Sequence, residues 1–125
     1  MCRLASRRLP PIILSGFVNA PASRLNDLCI HNPEATYFVR AAGDSMTGDR
    51  IEPGDILIVD SSYDAVDGRI VVVCLNGDNI VKRVHFTGDL IVLMSSNTKY
   101  DPIYVHPGEN FRVFGVVTFV IQKTR

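Results

Sequence analysis

The sequence predicts a mainly β fold of the mostly antiparallel, partly closed kind, with one short helix and an extended N-terminal arm. Three observations carry that expectation. From Tyr37 onward, apolar or alternating runs of strand length recur; Gly-, Pro- and Asp-containing turns separate them; and 125 residues leave room for a single core. Only a sheet folded back on itself buries so many strands in so short a chain.

In chain order, residues 1–22 are punctuated by Pro10, Pro11 and Pro21 and show little periodicity, so they read as an arm outside the core. Residues 23–125 form the expected domain. Ser23 is placed to cap a short helix containing Leu25, Leu28 and Cys29, which Pro33 stops. Strands are expected at 37–42, 56–60, 69–75, 80–86, 90–94 and 111–122. The turns between them are Glu52-Pro53-Gly54-Asp55, Asn76-Gly77-Asp78, Thr87-Gly88-Asp89 and His106-Pro107-Gly108-Glu109. The second and third of these are expected to close β-hairpins.

Composition excludes several functions. Thirteen basic and thirteen acidic side chains cancel, so no global positive field is available to hold DNA phosphates, and direct sequence-specific DNA binding is not expected. Residues 1–22 are also too few for a helix-turn-helix. Cys2, Cys29 and Cys74 have no paired spacing and suit a reducing compartment. The apolar runs 70–75 and 116–121 fall far short of the roughly 20 residues that span a bilayer. Arg3, Arg7 and Arg8 precede only a short, proline-broken apolar segment, unlike a signal peptide. A cytoplasmic protein without a membrane segment is expected.

Two residues stand out chemically. Ser45 lies in Ala42-Gly43-Asp44-Ser45-Met46, just after an expected strand, where its hydroxyl can be exposed and the N–H groups of Ser45 and Met46 can face a developing oxyanion. A lone turn serine bonding its own backbone has the same appearance. Lys82 lies in Ile80-Val81-Lys82-Arg83-Val84, where alternation puts it on the face of Ile80 and Val84. If that face is buried, the amine is desolvated and a neutral fraction can take a proton from a serine. If the strand is an edge, the lysine reaches water instead.

Gly43-Asp44-Ser45-Met46, the turn Pro53-Gly54-Asp55 leading into Leu57-Ile58-Val59-Asp60, and Val81-Lys82-Arg83 together resemble the LexA/UmuD family of self-cleaving proteins in order and spacing. The UmuD branch is the better match through His31-Asn32-Pro33-Glu34-Ala35-Thr36-Tyr37-Phe38-Val39, Met94-Ser95-Ser96-Asn97 and Val113-Phe114-Gly115-Val116-Val117. The similarity runs over residues 16–125. It implies Ser45 as nucleophile, Lys82 as general base, an oxyanion hole from the Ser45 and Met46 main chain, and no metal or other cofactor.

The resemblance further implies cleavage of the Ser15-Gly16 bond, a homodimer, a RecA filament on single-stranded DNA as trigger, and a UmuC-like Y-family polymerase as partner in the SOS response. Two departures are visible: Ser15 stands where the family usually has alanine or cysteine, and the connection after Phe17 is shorter. Two other readings follow. One is a peptidase-inert polymerase-binding module. The other is a soluble signal-peptidase-like protease, which the absence of a membrane segment disfavours.

The other candidates are weaker. His31, His85 and His106 share no ligand spacing, and Asp44, Asp55 and Asp60 suit local turn bonding better than a carboxylate pair. The run 111–121 reads equally as a dimer surface or a core strand.

Overall fold

A computed structural model describes residues 25–124; the expected arm at 1–22, with Ser15 and Gly16, and the Ser23 cap lie outside the described residues. Helix α1 (Leu25–Cys29) and a 3₁₀ turn (Pro33–Ala35) lead into the strands. These are β1 (Thr36–Arg40), β2 (Ile56–Asp60), β3 (Ile70–Leu75), β4 (Asp78–Thr87), β5 (Leu90–Met94), β6 (Ile103–Val105) and β7 (Phe111–Ile121). A second 3₁₀ turn, Thr47–Asp49, sits between β1 and β2. Among the described residues the strands make one sheet in the order β1-β2-β7-β3-β4-β5-β6, and every neighbouring pair is antiparallel. The expected mainly β, antiparallel class is thus the one observed, but the expected partial closure is not: among the described residues β1 and β6 are edge strands that do not pair with each other, and the sheet stays open.

Turn chemistry sets the register of the middle hairpins. Leu75 pairs with Asp78, leaving Asn76-Gly77 as a two-residue loop. Both loop residues have positive φ, 51° and 92°, as the mirror-image turns that match strand twist require. Thr87 pairs with Leu90 across Gly88-Asp89. The structure adds β6, three residues between Pro102 and Pro107 that are too few to show a period.

The near-continuous apolar run of β3 reflects burial on both faces. Val72 packs in one cluster with Ala41, Met46, Ile51, Leu57 and Val59. Its neighbours Val71 and Val73 turn to the other, with Val84, Leu93, Val105 and Val116. The first cluster therefore anchors the β1–β2 connection that carries Ser45. Strand β7 is central, pairing with β2 on one side and β3 on the other. Of the two readings of 111–121, the core strand describes its middle, where Gly115 and Val116 are buried. Helix α1 buries Cys29 while Leu25 and Leu28 remain exposed.

Candidate active site

Ser45 sits in the connection between β1 and β2. Hydrogen bonds from Ala41 N–H to Asp55 C=O (2.8 Å) and from Gly54 N–H to Ala41 C=O (2.9 Å) close the base of this loop. Gly43, at φ 74°, turns the chain outward where a side chain would be strained. Met46, 3 % exposed, then pins the loop into the core. The first bond inside the turn runs from Thr47 N–H to Asp44 C=O at 3.3 Å. Among the described residues the N–H groups of Ser45 and Met46 are given to no acceptor, so they remain available to an incoming oxygen.

Lys82 comes from the middle of β4, between β3 and β5 and opposite Val71. It is not on an edge, so the water-reaching alternative does not apply. Its residue is 6 % exposed, on the same face as fully buried Val84. Burial holds its amine below the ordinary lysine range. Ser45 and Lys82 line one cleft of about 220 Å³, together with Val39, Ala42, Ile51 and Val81. Within this cleft the Lys82 Nζ donates its hydrogen bond to Ser95 Oγ, at 2.6 Å, rather than to Ser45. The Tyr100 ring lies over the same Nζ, 5.3 Å from its centroid.

The segment after β5 clamps the serine loop. Ser96 N–H donates to Ser45 C=O (2.8 Å), and Gly48 N–H donates to Ser96 C=O (2.6 Å). Asn97 Nδ2 donates to Asp44 C=O at 2.9 Å. The Asp44 carboxylate accepts from the Tyr100 hydroxyl and pairs with Lys99 at 2.6 Å. The Lys99 hydrogen bond, helped by Tyr100, holds Asp44 below the usual carboxylate range. Asp49 accepts from the Ser96 hydroxyl and pairs with Arg83 at 2.9 Å. Burial alone would raise Asp49, but Ser96 and Arg83 outweigh it and the carboxyl is held low.

The remaining acidic candidates are structural. Asp55 accepts from Glu52 N–H (2.8 Å) and Gln122 (3.0 Å). Asp60 accepts from Ser62 and from Asn32. No group of three or more His, Cys, Asp or Glu residues disposed to hold a metal occurs among the described residues.

A family model described as Peptidase S24-like matches residues 15–118, a span that takes in the Ser45 turn, Lys82 and the clamp. The chain belongs to this peptidase family. Protein SamA of Salmonella typhimurium strain LT2 is 41% identical over 101 residues, 81% of this chain and 69% of SamA. Protein MucA of Escherichia coli is 40% identical over 95 residues, 75% of this chain and 64% of MucA. A LexA repressor of Anaeromyxobacter sp. strain Fw109-5 is 44% identical over 90 residues, but the chain spans only 38% of it. These likenesses make the chain a UmuD-type member of the LexA/UmuD family, one that spans about two thirds of the length of SamA and MucA. The S24 family is one of serine peptidases.

Sequence alone assigned no role to Ser95, Ser96, Asn97, Asp49, Lys99 and Tyr100, which the structure brings to this cleft and its loop. Met94-Ser95-Ser96-Asn97 was visible as a matching segment, without a role. Its role depends on the β5–β6 connection folding back over the β1–β2 loop, and a contact between residues some 50 apart leaves no periodic trace. Gly48 was the one local hint: a Cβ there would stand 2.2 Å from the Ser96 carbonyl oxygen. A glycine inside a polar turn marks such a close approach.

Proposed function

We propose that the chain is a self-cleaving Ser45–Lys82 peptidase, and that its processed form is an accessory subunit of an error-prone translesion polymerase. The observation that carries the reading is one cleft holding both a half-buried turn serine and a lysine desolvated in mid-sheet with no carboxylate partner among the described residues. The neutral Lys82 amine would take the Ser45 Oγ proton as Oγ attacks the scissile carbonyl carbon. The oxyanion would then be met by the N–H groups of Ser45 and Met46. The resulting ammonium gives its proton to the leaving amine, and a water opens the acyl-enzyme. No metal or other cofactor enters these steps.

The substrate in this reading is the chain's own Ser15-Gly16 bond. The small residue and the glycine let the backbone enter a cleft flanked by residues 39–43 and 79–82. A RecA filament on single-stranded DNA is the proposed trigger, and a homodimer bound to a UmuC-like Y-family polymerase is the proposed product. The family membership and the likeness to MucA and SamA support these partners. No helix among the described residues is long and apolar enough to cross a membrane; the cytoplasm is the proposed setting because the proposed RecA and polymerase partners act there.

Intact mass of the purified chain near neutral pH and near pH 10, with and without the RecA filament, tests the reading. Loss of residues 1–15 is expected in the wild type and abolished in Ser45→Ala and Lys82→Ala, both still folded by circular dichroism. Cleavage retained by folded Ser45→Ala would remove the dyad. A chain left whole under every condition would point to the inert binding module.

A further inference from the structure

We infer that Ser95 is a positioning residue for the peptidase chemistry: its hydroxyl oxygen takes one N–H of Lys82, which aims the lysine lone pair at Ser45 and stabilises the ammonium once the proton has moved. This deepens the Ser45–Lys82 reading and rests on it.

The first ground is the contact itself. Lys82 is buried, and Ser95 Oγ lies 2.6 Å from its Nζ. A neutral amine has two N–H bonds and one lone pair, and it rotates freely about its last carbon. Fixing one N–H on an acceptor confines the lone pair to a narrow arc, which is the orientation a general base needs. The ammonium formed by proton transfer keeps the same bond, now charge-assisted and stronger. Ser95 thus favours the state that chemistry creates.

The second ground is that no other polar group does this work among the described residues. The carboxylates of the serine loop are committed elsewhere: Asp44 to Lys99 at 2.6 Å, and Asp49 to Arg83 at 2.9 Å. His85, further along β4, faces Asp67 at 3.6 Å. From the β5–β6 connection Tyr100 presents its ring to Lys82, while its hydroxyl is spent on Asp44. Desolvation is the cause that acts on the Lys82 amine, with no ion pair beside it.

The third ground is placement. The residue after Ser95 donates its backbone N–H to the Ser45 carbonyl at 2.8 Å and accepts from Gly48 N–H at 2.6 Å. Ser95 is therefore held in register with the nucleophile's own main chain. One short segment ties the base, through a side chain, and the nucleophile, through the backbone.

The test uses the full chain. In Ser45→Ala, which keeps the arm attached, the Lys82 side-chain resonance is titrated by NMR with Ser95 present, with Ser95→Ala and with Ser95→Thr. Loss of the acceptor is expected to lower the midpoint by about one pH unit, because the ammonium loses its partner, and threonine is expected to restore it. In chains retaining Ser45, Ser95→Ala is expected to cut the high-pH plateau of self-cleavage roughly tenfold with the same acid shift, and Ser95→Thr to recover both. An unmoved midpoint in Ser95→Ala overturns the assignment whatever the cleavage rate does, since a merely structural serine could slow cleavage without touching the amine. Cleavage by Ser45→Ala alone would sink the dyad reading separately, and the titration would still judge Ser95.

Discussion

At the scale of single residues, the charge state of Lys82 bears on stability and, in the proposed dyad, on rate. Burial lowers its folded pKa below the unfolded lysine value, so between the two the unfolded chain binds more protons. Stability then rises with pH across that window, and below it the cost of a buried ammonium is fully present. Self-cleavage is expected to accelerate over the same range as the neutral fraction grows. A rate flat from neutral pH to about pH 10 would reject lysine as base. Lys82→Met should abolish cleavage yet stabilise the fold by on the order of 1 kcal/mol at neutral pH, with the gain shrinking toward pH 10. Urea melts at the two pH values measure it, and a destabilised Met variant would mean that the Ser95 bond outweighs the desolvation. The carboxylates act with the opposite sign. Asp44 and Asp49 are held low, so their contribution is present above the ordinary carboxylate pKa and is lost as pH falls through the folded value.

At the scale of elements, the sequence made Lys82 legible and left Ser95 hidden, for a physical reason. Alternation along β4 is local, so the face shared by Ile80, Lys82 and Val84 could be read residue by residue. The hairpins at Asn76-Gly77 and Gly88-Asp89 were legible in the same way, because a two-residue turn states its own φ requirement. Docking of the β5–β6 connection onto the Ser45 loop is a long-range event between two irregular segments. Neither has a period, and β6 is too short to announce the chain's return. Gly48 is where that docking can be tested. A Cβ there would stand 2.2 Å from the Ser96 carbonyl oxygen, a backbone atom that cannot swing aside. Gly48→Ala is expected to cost about 1–3 kcal/mol. It should also lower self-cleavage per folded molecule more than tenfold, because the Ser96 bond to Ser45 C=O shifts with it. Cleavage assayed well below the melting temperature checks this, and a wild-type rate there would show that the clamp does not set the geometry.

At the scale of the whole molecule, the site is divided between two blocks of sheet. The β1–β2 pair carries the serine loop at one end of the strand order, and β3-β4-β5-β6 carries Lys82 and the clamp at the other. Among the described strands only β7 pairs with both blocks, through β2 and β3, and the hydrogen bonds of the clamp to the serine loop add the second link. Gly115 lets β7 lie close on β2, since a Cβ there would lie 2.7 Å from Val59 Cγ1 and 3.0 Å from the Asp60 carbonyl oxygen. A glycine within a strand commonly marks such a close approach. Gly115→Ala should therefore destabilise the whole domain by about 1–3 kcal/mol and Gly115→Val by more, as overpacking does. The two kinds of glycine variant should then separate. Gly115→Ala acts by depleting the folded population, so its self-cleavage per folded molecule is expected to match the wild type in the cold and to collapse on warming through an earlier melt. Gly48→Ala is expected to be slow at every temperature. Calorimetry beside cleavage rates at two temperatures distinguishes them, and a Gly115→Ala chain as stable as the wild type would mean that β7 shifts to accommodate the methyl group and does not limit how closely it lies on β2.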